Sequence, residues 1–91
     1  MYQWVWTPFF TKAAHKFIKN HPELKKSFAQ ILRDLENDPL QPHLKLHALK
    51  GEFKGVYAIS ITYSYRLTLT LNVTQQEIVL LNVGSHDEVY R

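Results

Sequence analysis

The spacing of apolar positions changes along this chain, and each change marks an element. From Gln3 to Thr7, Trp4 and Trp6 alternate with Gln3, Val5 and Thr7, a short strand signal rich in β-forming residues. Thr7-Pro8 reads as an N-cap followed by proline at the first helical position. Phe9, Phe10, Ala13, Ala14, Phe17 and Ile18 then recur at three- and four-residue spacing, which predicts a helix that buries this stripe as ordinary core. His15 and Lys16 fall off the stripe and are expected in solvent. Asn20-His21-Pro22-Glu23 breaks the first helix and starts a second, with Glu23 suited to the positive end of the helix dipole. Leu24, Phe28, Ile31, Leu32 and Leu35 form the apolar face of the second helix, and Asn37-Asp38-Pro39 stops it, because proline pushes the preceding residue out of the α region. So short a link predicts an antiparallel helical hairpin. A hairpin cannot bury both stripes alone, so it must lie on a sheet.

The sheet is written in the second half of the chain. Leu40 to Gly51 is irregular, with Leu40, Leu44, Leu46 and Leu49 spaced to pin a loop to the core. Tyr57, Ile59 and Ile61 alternate with Ala58, Ser60 and Thr62, and Tyr63-Ser64 is the expected hairpin turn. In the next strand Tyr65, Leu67, Leu69, Leu71 and Val73 share one face, and Arg66, Thr68, Thr70 and Asn72 share the other. After a turn at Thr74-Gln75-Gln76, the run Glu77 to Val83 is apolar on both faces, as expected of an interior strand, and Gly84 is expected to end it. The order strand, helix, helix, three strands predicts an α+β fold occupying residues 1–91 as one domain. Its sheet should be small, twisted and antiparallel-dominated, about four strands, with the N-terminal helical hairpin on one face.

Composition narrows the setting. Ninety-one residues, 45% of them hydrophobic, suit a single core. No apolar run approaches the roughly 20 residues that cross a bilayer. The start, Met1-Tyr2-Gln3-Trp4-Val5-Trp6, lacks the basic beginning of a signal peptide. With no cysteine there is no disulfide framework, thiolate nucleophile or thiolate metal site. The expected location is cytoplasmic, with no membrane partner. A net charge of +3 and a pI near 9.3 raise the expectation of an anionic partner, either nucleic acid or an acidic protein. Between His43 and Lys54 lie His43, Lys45, His47, Lys50 and Lys54 against one acid, Glu52, although a plain solvated loop has the same look.

If the strands pair as neighbours, one face gathers a fixed cation, two imidazoles and a phenol. Arg66 points away from the leucines, either as a solvated charge that discourages aggregation or as a planar fork for a phosphate. His86 lies just past the last strand with Tyr90 four residues on, and His47 sits in the loop before the hairpin. Each histidine alone is an ordinary surface residue. No HxxxH pair or His/Asp/Glu cluster at ligand spacing points to a metal, and no metal or other cofactor is expected.

Three segments in combination, His47-Ala48-Leu49-Lys50-Gly51-Glu52-Phe53-Lys54-Gly55-Val56-Tyr57, Tyr65-Arg66-Leu67 and Gly84-Ser85-His86-Asp87-Glu88-Val89-Tyr90, resemble the toxins of the RelE/ParE superfamily, nearest to the YafQ-like messenger-RNA interferases. The resemblance implies a microbial ribonuclease-like sheet with a helical hairpin. It also implies cleavage of messenger RNA on the ribosome and restraint by a cognate antitoxin, through which any DNA contact would be made. His47 matches the loop histidine, His86 the histidine or arginine near the C-terminus, Tyr90 the closing aromatic, and Arg66 the strand arginine of the RelE branch. Lys45, Lys50, Lys54, Ser60 and Ser64 are the expected RNA- and phosphate-binding positions. The chain departs from the pattern at three points. Ser60 stands where the YafQ-like branch has a second histidine, Ala58 and Ser60 where the RelE branch has lysines, and Ser64 where the first branch has aspartate.

The chemistry implied is endonucleolytic attack by the RNA's own 2′-hydroxyl. His86 would donate a proton to the leaving 5′-oxygen, and His47 would remove one or support its removal. Arg66, with help from Lys50 or Lys54, would hold the phosphoryl oxygens, and Tyr90 would stack on a base or steer the hydroxyl. Two other classes fit the same scaffold: a non-enzymatic ParE-like inhibitor of DNA gyrase, and a degenerate toxin that only binds its antitoxin. The set His47, Arg66, His86 and Tyr90 favours the nuclease, since a gyrase binder has no evident need to hold it together.

Overall fold

Thr7 is the joint on which the N-terminal half turns. In the computed structural model, which describes residues 1–90, strand β1 (Gln3–Trp6) ends at this threonine and helix α1 (Pro8–Asn20) begins after it. The last residue of the 1–91 domain lies outside the described residues. The Thr7 hydroxyl oxygen accepts from the Phe10 N–H at 3.1 Å, capping α1, and the hydroxyl donates to the Leu80 carbonyl at 2.9 Å. One side chain thus closes the helix start and ties it to the sheet.

A single 3₁₀ turn at Pro22–Leu24 reverses the chain into α2 (Lys25–Asn37). The remaining elements are β2 (His47–Ala48), β3 (Tyr57–Ser60), β4 (Tyr65–Asn72), β5 (Glu77–Ser85) and a one-turn helix, α3 (His86–Val89). Across the sheet the order is β1-β5-β4-β3-β2. β1 runs parallel to β5, and the other three pairings are antiparallel. Five strands replace the expected four or so, because the segment around His47 is itself a two-residue edge strand, pairing His47 with Ala58 and Ala48 with Tyr57.

The helical hairpin covers one face, as the two stripes require. Phe10, Ala14 and Phe17 of α1 and Phe28, Leu32 and Leu35 of α2 meet Ile59, Leu67, Leu69, Ile78, Leu80 and Val83 of the sheet in one cluster. Each large side chain sealed here contributes on the order of 1.5–3 kcal/mol. Edge strand β1 is tied to α2 as well: Trp4 Nε1 donates to the Leu32 carbonyl at 3.0 Å, and the Tyr2 N–H donates to the Glu36 carbonyl at 2.7 Å.

Three expectations for apolar residues fail. Phe9 is 65% exposed, because it sits about 100° around the helix from the Phe10–Ala14–Phe17 line. Leu40 is 60% exposed while its neighbour Pro39 is fully buried; the Asp38 carboxylate accepts from the Leu40 N–H at 2.9 Å and turns the chain there. Val73 is also exposed, since β4 ends at Asn72.

The register of β5 holds one irregularity that matters to the other face. Thr68 pairs with Asn82 but Leu69 pairs with Leu80, so Leu81 is left without a partner as a bulge. The extra residue shifts the phase of the strand. Ile78 and Leu80 face the helices before it, Val83 faces them after it, and Asn82 and Gly84 turn to the side shared by Thr68 and Arg66. Gly84 does not end the strand. It lies within β5, which runs one residue further before α3 begins. None of the helices in residues 1–90 is long and apolar enough to cross a membrane.

Candidate functional site

The face away from the hairpin has its own small cover. Ala58, Thr68 and Val89 are all buried, yet none belongs to the main core cluster. Helix α3 packs on β4 and β5. Gly84 is the cross-strand partner of Arg66, so a side chain at Gly84 would point to the Arg66 face, and there a β-carbon would meet Glu88 Oε1 at 3.0 Å. Hence α3 folds back over the face that carries Arg66.

A four-residue helix has almost no stability of its own. Here it is held by a capping box. Ser85 Oγ accepts from the Glu88 N–H at 3.3 Å, and the Glu88 carboxylate accepts from the Ser85 N–H at 2.9 Å. The Ser85 backbone N–H first, then the Ser85 hydroxyl and Lys16, hold the Glu88 carboxyl below its ordinary value. Lys16 Nζ lies 3.5 Å from Glu88 Oε2, so α1 braces the same cap. The Ser85-x-x-Glu88 spacing is the sequence signal for this helix, which is not among the expected elements.

His86 is the first residue of α3, and its imidazole is 65% exposed. Tyr90 follows the helix, with its ring centroid 4.5 Å from that of His86 at 69°. Tyr90 also meets Phe53, centroids 6.1 Å apart at 77°. Phe53 is a neighbour that no periodicity in the sequence singled out. It is presented by a 3₁₀ turn at Gly51–Phe53, with Gly51 at φ +67° and Gly55 at φ +91°, conformations that favour glycine.

Arg66 is half-buried on β4, with Ser60 on one side and Gly84 on the other as Cα partners. Its Nη1 is 2.9, 2.8 and 3.2 Å from the carbonyl oxygens of Thr62, Tyr63 and Tyr65, so the guanidinium is seated on the β3–β4 turn. Nε and Nη2 make no hydrogen bond among the described residues, which leaves one edge of the fork open. Ser64 is exposed in the same turn and donates its N–H to Thr62 Oγ1 at 3.2 Å.

His47 shares this face through the row His47–Ala58–Thr68–Asn82, but at the opposite edge. It lies three strand spacings from β5, or about 14 Å, with Nδ1 3.1 Å from the Lys45 carbonyl. Lys45, Lys50 and Lys54 are exposed around it. The structure therefore brings His86 into contact with Tyr90 and sets Ser60 beside Arg66. It leaves His47 and the lysines at the far margin. The arrangement is an open face, not a closed pocket. Chemically it offers an arginine with an open donor edge on β4, the His86–Tyr90–Phe53 group by α3, and a second imidazole, His47, at the opposite edge of the sheet. Among the described residues no three His, Asp or Glu side chains converge as metal ligands.

The comparisons agree with this architecture. The family model of YafQ, a bacterial toxin of type II toxin–antitoxin systems, matches residues 2–91. The crystal structure of YafQ from E. coli superposes over the full length of both chains at 17% identity with a TM-score of 0.84. A metal-bound toxin from Helicobacter pylori is 25% identical over 99% of this chain and 100% of that one, TM-score 0.81. The YoeB–YefM complex from Staphylococcus aureus matches over 94% and 98% at 20% identity, TM-score 0.74. No curated protein matches the chain by sequence. The chain belongs to the YafQ family of type II toxin–antitoxin toxins, and its α+β fold is that of the RelE superfamily.

Proposed function

We propose that this toxin is an endoribonuclease that cleaves messenger RNA on the ribosome by attack of the 2′-hydroxyl on the adjoining phosphate. The observation that carries the reading is the order of groups across the open face: His86 beyond β5, Arg66 on β4 with an open donor edge, and His47 on β2. Displacement at phosphorus is in line, so the proton acceptor and the proton donor must stand on opposite sides of the phosphate. A cation between two imidazoles is the arrangement that such a step needs.

In this reading the open edge of Arg66 binds the phosphoryl oxygens and stabilises the charge that builds on the phosphorane. His86 protonates the departing 5′-oxygen, and His47 takes or helps to take the 2′-hydroxyl proton from the other flank. Tyr90, held between His86 and Phe53, stacks on a base next to the scissile bond. Lys45, Lys50, Lys54, Ser60 and Ser64 contact the flanking phosphates. The substrate brings its own nucleophile, so none of these steps calls for a metal, and DNA, lacking the 2′-hydroxyl, is inert. A cognate antitoxin keeps the toxin silent, a reading supported by the YoeB–YefM complex among the structural matches.

The test is primer extension on messengers in a ribosome-containing translation system. Wild type should produce new in-frame ends. His86→Gln should lower their yield on the order of a hundredfold or more, with an unchanged unfolding midpoint. Intact cleavage by a folded His86→Gln protein would remove His86 from the mechanism. DNA damage with intact messengers would point instead to a gyrase inhibitor.

A further inference from the structure

The two imidazoles of the open face are held differently. His47 Nδ1 lies 3.1 Å from the Lys45 carbonyl oxygen. A carbonyl can only accept, so this contact is a hydrogen bond only when Nδ1 carries the proton. Neutral His47 is then the Nδ1–H tautomer, with its lone pair on Nε2. Nε2 itself makes no hydrogen bond among the described residues. His86 has no such commitment: its Nδ1 is 3.8 Å from Asp87 Oδ1, beyond hydrogen-bond range, and its ring meets Tyr90.

A bond from an exposed ring to a carbonyl two residues back selects a tautomer only if that carbonyl is fixed. Lys45 fixes it through its main chain. Its φ of 53° and ψ of 42° are left-handed, a conformation that glycine and asparagine adopt readily and lysine does not. The conformation is imposed by anchors on both sides. Before Lys45, a 3₁₀ turn at Pro42–Leu44 is pinned to α2: Leu44 is buried, and His43 Nε2 lies 3.0 Å from Asp34 Oδ2. Gln41 Nε2 donates to the Asp34 carbonyl at 2.9 Å, and the Lys45 N–H closes the turn on the Pro42 carbonyl at 3.1 Å. After it, β2 sets His47 opposite Ala58. Only Lys45 and Leu46 lie between the anchored turn and the anchored strand, and the change of direction falls on Lys45. Strained backbone of this kind persists where the surroundings over-determine it, and such places cluster at functional sites.

We propose that Lys45 is a positioning residue acting through its backbone: its left-handed conformation aims its carbonyl at His47 Nδ1 and so selects the tautomer whose Nε2 can take the 2′-hydroxyl proton. In that step O2′ bonds to phosphorus, its proton passes to Nε2, and the 5′-oxygen leaves with a proton from His86. The His47 ring becomes imidazolium, and Nδ1–H still donates to the same carbonyl, now as a stronger, charge-assisted bond. This function is separate from any phosphate contact of the Lys45 ammonium. The use of Nε2 as a base rests on the nuclease reading; the tautomer does not.

Proton–nitrogen correlation spectra of the imidazole nitrogens, recorded without RNA at about pH 8.5 to keep exposed imidazoles neutral, read the tautomer directly. Wild-type His47 should show a protonated Nδ1 and a bare Nε2. A protonated Nε2 overturns the proposal. Lys45→Asn and Lys45→Val both remove the ammonium, but only valine, branched at Cβ, resists the left-handed region. The asparagine variant should keep the Nδ1–H form, and the valine variant should lose it. In the ribosome-containing cleavage assay both should raise KM alike, while kcat falls about tenfold further in Lys45→Val. Lys45→Ala, less strained there than valine, should give a smaller change of the same sign and serves if the valine variant does not fold. Equal spectra and equal kcat for the asparagine and valine variants overturn the positioning role. A tautomer that changes while kcat does not overturns it as well, since the selected lone pair then has no part in the step. Absence of cleavage by a wild-type protein that shows the Nδ1–H form sinks the nuclease reading and leaves the tautomer selection supported.

Discussion

Ser85→Ala gives a sharp test of how α3 is held. The substitution removes the hydroxyl that accepts from the Glu88 N–H at 3.3 Å and leaves the Glu88 carboxylate on the Ser85 N–H at 2.9 Å. Losing a serine N-cap costs about 1 kcal/mol, and a bond at the long end of the hydrogen-bond range places this one at or below that figure. Against it stands the docking of Val89, 5% exposed, worth about 1.5 kcal/mol or a little more. The helix itself adds little, being a single turn. A loss of about 1 kcal/mol should therefore raise the open fraction of α3 about fivefold without touching the main core. Native-state hydrogen exchange reads this directly. The amides of Glu88, Val89 and Tyr90 should exchange about fivefold faster, while those of Leu67 and Leu80 keep their rates. If all five amides accelerate together, α3 opens only when the whole domain unfolds and the picture of a separately held helix is wrong. If none changes, Ser85 is not what caps it.

Two further outcomes follow from the same cap. Glu88 has a folded pKa held below its ordinary 4.5, so its contribution is fully present above that value and is lost as pH falls through the depressed one. Protection factors at Val89 and Tyr90, taken against the intrinsic rate at each pH, should fall below about pH 4.5 in wild type, and that acid step should be absent in Glu88→Gln. Gly84→Ala would place a β-carbon 3.0 Å from Glu88 Oε1 and 3.3 Å from Glu88 Cβ. Glu88 must then give way by a few tenths of an ångström, which should destabilise α3 by an amount comparable to Ser85→Ala. In the Glu88→Ala background, which removes the 3.0 Å carboxylate contact but keeps the 3.3 Å Cβ contact, the same change should cost less, a coupling that a double-mutant cycle measures.

Much of the scaffold was readable from periodicity, because the main core is two helical stripes against alternating strands. Phe10, Ala14 and Phe17, Phe28, Leu32 and Leu35, and Leu67 and Leu69 all face where their spacing puts them. The choice of the Arg66 side of β4 as the face away from the helices was equally readable, since one strand's alternation decides it. What escaped were features whose cause lies outside the local pattern. A two-residue strand at His47 has no period to detect; only the pairing with β3 makes it a strand. The position of Phe53 against Tyr90 depends on the path of two glycine-framed residues and on where α3 lands.

The β5 bulge links these two kinds of feature. Without Leu81 as an unpaired residue, a strict period of two from Ile78 and Leu80 would turn Asn82 and Gly84 toward the helices and Val83 out to the open face. An amide would then enter the core cluster and a valine would sit beside Arg66. Gly84 would no longer stand opposite Arg66 as the one position where α3 can approach the sheet this closely, and Glu88 would have no room to cap Ser85 over that face. One extra residue in an interior strand thus keeps the helical core closed and opens the space that α3 needs on the other side. The run Glu77 to Val83 is apolar on both faces, so its sequence alone carries no mark of where that shift falls. The pairing with β4 supplies it: Leu67 must meet Val83 and Leu69 must meet Leu80 for both pairs to stay buried. The position of His86 and Tyr90 is therefore set by core packing on the far side of the sheet.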